Sequence, residues 1–179
     1  MKRYKRLGQL IMVGIDGTEP TFELISYLKE YNFSGIVLFK RNIISLEQIG
    51  YFVEEIRSKM PGIFVAVDEE GGSVSRYRGI CTDFPGNQAL GNYYKKTGDR
   101  DLVEKAADIM ATELKLLGVT WNFAPVFDLN SNPNNPVIGD RSFSSDIDTV
   151  IKLGAIFIKA FQNKEIMATA KHFPGHGDT

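Results

Sequence analysis

The stretch IFVAVDEEGGSVSRY, residues 63–77, passes abruptly from an unbroken apolar run to an acidic, glycine-rich one. A short apolar run rich in β-branched residues and closed by charge reads as a strand buried on both faces, which is the pattern of a parallel sheet. Asp68 then stands at the C-terminal end of that strand. Gly71 and Gly72 let the backbone turn tightly and let a ligand come close. In α/β folds with parallel strands, ligands bind at the C-terminal strand ends, so this one stretch predicts both a sheet and the side of it that carries the site.

Working outward, four more runs of the same kind occur at residues 9–15, 35–39, 120–124 and 167–171, and four stretches of helical period lie between the five strands. In the second, Ser45 and Gln48 form a capping box, and Ile49, Phe52, Val53 and Ile56 make one apolar face. The third, from about residue 99 to 117, carries Val103, Ala106, Ala107, Met110, Leu114 and Leu117 on one side and stops at Gly118. A fourth starts at Ser145, with Asp148 as the reciprocal cap, and turns Ile151, Ala155, Ile158 and Phe161 inward. Strand and helix alternate as in repeated βα units. Loops before strands are short, whereas residues 69–98 and 125–144 form long loops after the third and fourth strands. Five strands in 179 residues fall short of the roughly 250 residues of a closed eight-stranded βα barrel, so the sheet is either open or part of a larger barrel. Without internal repeats or low-complexity tracts, the chain reads as one domain.

Composition excludes several classes. With 21 basic and 22 acidic residues, and no basic run beyond the cluster at residues 2–6, there is no field to attract nucleic acid. The opening MKRYKRLGQLIMVGIDG imitates a signal peptide, but Gly14 and Asp16 break its apolar run, which fits a first strand better. No stretch is long enough to span a bilayer. Cys81 is the only cysteine, so no internal disulfide can form, and a reducing, cytoplasmic setting is expected.

Polar residues at the strand ends are the candidates for chemistry. Asp68 has two carboxylate oxygens to accept from a pair of sugar hydroxyls, unless Asp68, Glu69 and Glu70 are a solvated acidic turn. Arg76 offers a second arm or a surface ion pair. Asn122, Asp128 and Arg141 follow the fourth strand. The guanidinium of Arg141 suits hydroxyls or a carboxylate, with a structural pairing to Asp140 or Asp128 as the alternative. The last nine residues, KHFPGHGDT, place His172 and His176 at i, i+4, yet Pro174, Gly175 and Gly177 forbid the helix that would aim both at one metal. A loop metal site with Glu69 or Asp178 ranks last, and no cofactor is implied. Lys171 and His172 close the fifth strand as Asp68 closes the third, near Phe39, Trp121 and Phe123 in the strand-end pattern. Groups of both charge signs converging with aromatics describe a polyol pocket, and no glycine-rich phosphate cradle is present. His172 has a second reading as a satisfied core histidine, and His176 as a loop brace.

Three motifs then stand in order on successive strand ends: V-D-E-E-G-G-x-V-x-R (67–76), I-G-D-R-S-F (138–143) and K-H-F-P-G-H-G-D-T (171–179). Together they resemble family 3 glycoside hydrolases, in particular their bacterial β-N-acetylhexosaminidase branch, whose I-L-F-x-R-N is echoed by VLFKRN at 37–42. The resemblance implies a (β/α)8 TIM-type barrel of which about five βα units are present, residues 1–179 forming its N-terminal portion. It implies retaining hydrolysis of terminal non-reducing N-acetyl-β-D-glucosaminides from cell-wall fragments in the cytoplasm, without cofactor or metal. It carries substrate binding to Asp68, Arg76, Arg141, Lys171 and His172. Ser73 stands where the branch often has arginine, which leaves fine substrate preference open. The family's acid/base histidine, in a D-S-H segment, and its aspartate nucleophile come later than Thr179. No catalytic residue is therefore assigned within the chain, which is expected to be inactive alone, and His176 is not the family's acid. A β-glucosidase or β-xylosidase of the same family and a non-catalytic glycan-binding remnant are the alternatives. The expected partner is an N-acetylglucosamine-containing glycan, with neither nucleic acid nor membrane, and exposed sheet edges are expected to favour self-association.

Overall fold

A computed structural model describes residues 6–179; residues 1–5, which hold most of the basic cluster at 2–6, lie outside the described residues. Five short strands, β1 (Met12–Gly14), β2 (Gly35–Leu38), β3 (Phe64–Val67), β4 (Trp121–Asn122) and β5 (Met167–Ala168), form one sheet. All pair in parallel, and their spatial order is their order in the chain. That order decides between the two architectures left open by the sequence. A doubly wound sheet reverses direction at a switch point, whereas right-handed crossovers that always step the same way put every helix on one face and leave the other face for a barrel interior. The sheet is thus an α/β barrel sector.

The helices are α1 (Phe22–Tyr31), α2 (Leu46–Lys59), α3 (Asn87–Thr97), α4 (Asp101–Leu116) and α5 (Ile147–Asn163). Ile36 and Leu38 of β2 and Val65 and Val67 of β3, alternate residues of two neighbouring strands, are fully buried in one core with Leu28 of α1 and Ile49, Phe52, Val53 and Ile56 of α2. The opposite face is less covered, with Val37, Phe64 and Trp121 half-buried and Met167 exposed. Gly35 lies on that face between its register partners, where a Cβ would stand 2.5 Å from Met12 Cε and 2.9 Å from Phe64 Cβ. Only glycine fits there.

Capping explains where the helices start. Ser45 Oγ accepts from the Gln48 N–H at 3.2 Å, and the Gln48 side chain returns to accept from Ile44 N–H at 2.9 Å. The predicted inward face of α2 is the buried one. Residues 103, 106, 107, 110 and 114 of α4 are likewise buried, and Gly118 follows the C-cap in a left-handed conformation.

Two expectations are corrected. Helix α5 is capped by Asp146, whose carboxylate accepts from Thr149 N–H at 2.9 Å, and not by Ser145. Its inward stripe is Val150, Leu153, Phe157, Ala160 and Phe161, while Ile151 and Ala155 face out. Lys152, Lys159 and Gln162 make the opposite side polar, and Ile151 and Ala155 lie on the flank between that side and the buried stripe. Helix α3 occupies a segment read as loop. Its buried residues are only Asn87, Leu90 and Gly91, and its N-cap is Gly86 with no side-chain acceptor, so neither periodicity nor capping announced it. It forms because it packs tightly: a Cβ on Gly91 would come within 1.8 Å of the Phe143 carbonyl oxygen.

Candidate functional site

The long loops after β3 and β4 and the end of β5 meet above the C-terminal edge of the sheet. Beyond β3 the chain stays extended, so Asp68 and Glu70 point one way and Glu69 the other. Glu69 turns inward and is buried at 5% exposure. Its carboxylate accepts from the backbone N–H of Arg76 at 2.8 Å and Tyr77 at 3.2 Å. Asn122 at the end of β4 clamps its backbone, accepting from Glu69 N–H at 3.0 Å and donating to Glu69 C=O at 2.8 Å. Burial raises the Glu69 carboxyl above its ordinary value, against the hydrogen bonds from Ser75, Arg76, Tyr77 and Gly71 that lower it.

Asp68 and Glu70 both reach Lys171. The Lys171 ammonium lies 2.8 Å from Asp68 Oδ1 and 2.5 Å from Glu70 Oε1. Glu70 also receives Arg141 as a fork, Nε to Oε2 at 2.8 Å and Nη2 to Oε1 at 3.0 Å. With its side chain 1% exposed, Glu70 is the buried junction between the β4 loop and the end of β5. That fork holds the Arg141 guanidinium above its usual value, outweighing partial burial. Arg141 Nη1 donates to Val137 C=O at 3.0 Å, and Nη2 stands 3.3 Å from His172 Nε2. The other ring nitrogen, His172 Nδ1, is 2.5 Å from Asp128 Oδ2. A carboxylate at Nδ1 and a guanidinium donor at Nε2 select the tautomer with its proton on Nδ1. Asp128, 1% exposed, also accepts from the backbone N–H of His172 at 3.2 Å and His176 at 2.8 Å.

The five residues picked from the sequence divide as follows. Asp68, Lys171, Arg141 and His172 are joined directly or through Glu70 in one network. Arg76 stands at its margin, 3.8 Å from Asp68 Oδ2, with its guanidinium also 5.9 Å from the Phe39 ring centre. Three readings are corrected. The acidic turn is not solvated, since Glu69 and Glu70 are both buried. Arg141 pairs with Glu70 rather than with Asp140 or Asp128, and Asp140 instead accepts from Ser73 Oγ at 2.8 Å. His172 is satisfied at both ring nitrogens but, with its side chain 34% exposed, is no core histidine, and among the described residues no three His, Cys, Asp or Glu side chains are placed to hold an ion. His176 braces the loop through its backbone, its C=O accepting from Asn135 Nδ2 at 2.7 Å. Of the aromatics, Phe39 lies under Arg41 at 4.7 Å, while Trp121 packs edge-on to Phe64 and Phe123 along the sheet. Glu70 and Asp128 are the members whose roles the sequence did not reveal. Alternation beyond the strand end was the available signal for Glu70.

Three cations, Arg76, Arg141 and Lys171, thus meet three carboxylates, Asp68, Glu70 and Asp128, at the mouth of a parallel sheet. Such a site offers donors and acceptors side by side without net charge, which suits a neutral polyol. The one cysteine is no nucleophile: burial pushes the Cys81 thiol up to about 11.

Comparison with known proteins places the chain in a family. Residues 4–179 match the glycosyl hydrolase family 3 N terminal domain. Over 165 residues the chain is 42% identical to beta-hexosaminidase A of Pseudoalteromonas piscicida, covering 88% of this chain and 27% of that protein. It is 36% identical over 171 residues to the beta-hexosaminidase of Stenotrophomonas maltophilia (strain K279a), covering 94% of this chain and 50% of that one. Among solved structures, a family 3 beta-N-acetylglucosaminidase from Paenibacillus sp. str. FPU-7 superposes with a TM-score of 0.90 at 38% identity, over 98% of this chain and 34% of that one. NagZ from Neisseria gonorrhoeae in complex with N-trifluoroacetyl-D-glucosamine gives 0.87 at 33% identity, over 93% and 50%. The chain therefore spans half or less of the length of these relatives.

Proposed function

We propose, from the premise that this chain belongs to glycosyl hydrolase family 3, that the whole protein cleaves terminal non-reducing N-acetyl-β-D-glucosaminides and that this chain supplies the grip on the sugar. The observation that carries the reading is the network of Asp68, Lys171, Glu70, Arg141 and His172 at the C-terminal strand ends. Support comes from relatives that are beta-hexosaminidases and from one solved with an N-acylglucosamine bound.

In this reading Asp68 accepts from sugar hydroxyls while Lys171 and Arg141 donate to others, and His172 packs beside them at a fixed tautomer. Arg76 closes the side next to Phe39. Holding the ring by its hydroxyls allows contacts that tighten as the sugar flattens toward the oxocarbenium-like transition state. Hydrolysis with retention also needs a carboxylate nucleophile and a proton donor about 5 Å apart across the scissile bond. Glu70 and Asp128 are committed to cations and to N–H donors, and both ring nitrogens of His172 are engaged. We assign the nucleophile and the acid to other parts of the whole protein, and the chain alone to binding without turnover. A single cysteine fits a reducing compartment, and with it a role in recycling cell-wall fragments inside the cell.

Asp68→Ala in the whole protein tests this. Cleavage of an aryl N-acetyl-β-D-glucosaminide is expected to fall by at least about a hundredfold, since a charge-assisted pair of hydrogen bonds at the reacting sugar is lost. Unchanged turnover overturns the reading. Faster hydrolysis of the matching glucoside or xyloside by the unaltered protein overturns the choice of substrate.

A further inference from the structure

We propose that Glu70 is a positioning and specificity-determining residue, which makes a pocket built around three cations bind neutral hydroxyls and refuse anions. The proposal rests on the sugar-binding reading above and goes beyond it in saying what sets the pocket's preference. Glu70 is buried and does not face the ligand itself, so it acts through Lys171 and Arg141.

The donor inventory shows how. Arg141 has five N–H groups: two go to Glu70, one to Val137 C=O and one to His172 Nε2. Lys171 has three: one goes to Asp68, and its ammonium is ion-paired with Glu70 at 2.5 Å. Arg141 is left with one N–H, and both Arg141 and Lys171 are held in place with their charge already matched on the buried side. One donor of fixed direction matches one hydroxyl oxygen. An anion asks for more, namely several donors and uncompensated positive charge. Taking away the Glu70 charge supplies both, loosening the two Arg141 N–H groups and the Lys171 ammonium and leaving Asp68 and Asp128 as two carboxylates against Arg76, Arg141 and Lys171. Glu70 is also held rigidly, since its backbone N–H donates to Val74 C=O at 2.9 Å and Gly71 bridges to Val74 across the turn.

The test is calorimetric titration of the whole protein with two probes, N-acetylglucosamine and inorganic phosphate, in unaltered form and as Glu70→Gln and Glu70→Asp. The unaltered protein is expected to bind the sugar, and phosphate is expected not to compete. In Glu70→Gln, sugar affinity falls about tenfold because Lys171 and Arg141 lose the partner that fixes their donors, and phosphate affinity rises about tenfold because one unit of positive charge is left unmatched a few ångströms away. Glu70→Asp keeps the charge but not the fork, so it weakens sugar binding and retains the refusal of phosphate. A Glu70→Gln variant that loses affinity for both probes alike, or for neither, overturns the proposal while leaving the sugar site standing. Unaltered protein that binds phosphate as well as it binds sugar overturns the proposal without any variant, so a misfolded variant does not shelter it. Unaltered protein that binds no N-acetylglucosamine overturns the sugar-binding reading itself, and the proposal with it.

Discussion

Replacing Asp128 by alanine removes the acceptor for three N–H groups of the segment that carries Lys171 and His172. Asp128 Oδ2 accepts from His172 Nδ1 at 2.5 Å and from His172 N–H at 3.2 Å, and Oδ1 accepts from His176 N–H at 2.8 Å. A hydrogen bond to a charged group contributes about 1.5–3 kcal/mol, so three would sum to about 5–9 kcal/mol if all donors were stranded. They are not all stranded. The His172 side chain is 34% exposed, and water can reach part of the loop once the carboxylate is gone. We therefore expect about 3–4 kcal/mol of destabilisation for Asp128→Ala. Asp128→Asn keeps one oxygen for two of the donors but sets an amide N–H against the third, and about 2 kcal/mol is expected. Urea unfolding of the two variants beside the unaltered protein gives the numbers, read as shifts of the midpoint at constant slope. N-acetylglucosamine affinity should fall in parallel, because His172 loses the partner that fixes its tautomer and its contact with Arg141. Asp128→Ala within about 1 kcal/mol of the unaltered protein would refute the assignment of Asp128 as the anchor of this loop.

Burial raises the Glu69 carboxyl, so the folded chain keeps that proton while the unfolded chain releases it. Stability from this group is complete below the ordinary glutamate range and is lost as pH rises from there through the raised folded value. Glu69→Gln keeps an oxygen for the N–H groups of Arg76 and Tyr77 without a proton to lose. Its stability minus that of the unaltered chain should climb across this window and then stay constant, and a difference independent of pH refutes the account. Gly91→Ala forces a Cβ to within 1.8 Å of the Phe143 carbonyl oxygen, a backbone atom that cannot move alone. A loss of about 3 kcal/mol or more is expected by urea unfolding, and a loss under about 1 kcal/mol contradicts the packing of α3. The outer strands β1 and β5 each pair on one side only, and Phe173 is 98% exposed nearby. The isolated chain is expected to self-associate in size-exclusion chromatography; a sharp monomer peak with cooperative unfolding counts against this.

Much of the architecture was legible in order of sequence because it is local. Apolar runs at 35–39 and 63–68 mark strands whether or not their neighbours are known, and the stripe of α2 follows from Ile49, Phe52, Val53 and Ile56 at helical spacing. The end of β3 likewise announced Asp68 as a polar group at the mouth of the sheet, where it accepts from Lys171. Locality failed where the pattern was ambiguous or thin. In α5 the spacing of Ile151, Ala155 and Ile158 runs along the flank of the stripe centred on Val150, Leu153, Phe157 and Phe161, and α3 buries too little of its own to be visible without Phe143 against it.

The sequence by itself determined the alternation of strands and helices, the long loops beyond the strands, and Asp68, Lys171 and His172 as polar groups at or just past strand ends, while Arg76 and Arg141 were singled out through the family resemblance. It did so because burial period, capping and turn chemistry act over a few residues. Only the tertiary structure decided which charge meets which. Glu70 finds Arg141 71 positions away, and Lys171 reaches Asp68 across 103. Those pairings depend on the register of five parallel strands and the side to which each loop falls, and a residue's own neighbours in the chain carry no record of either.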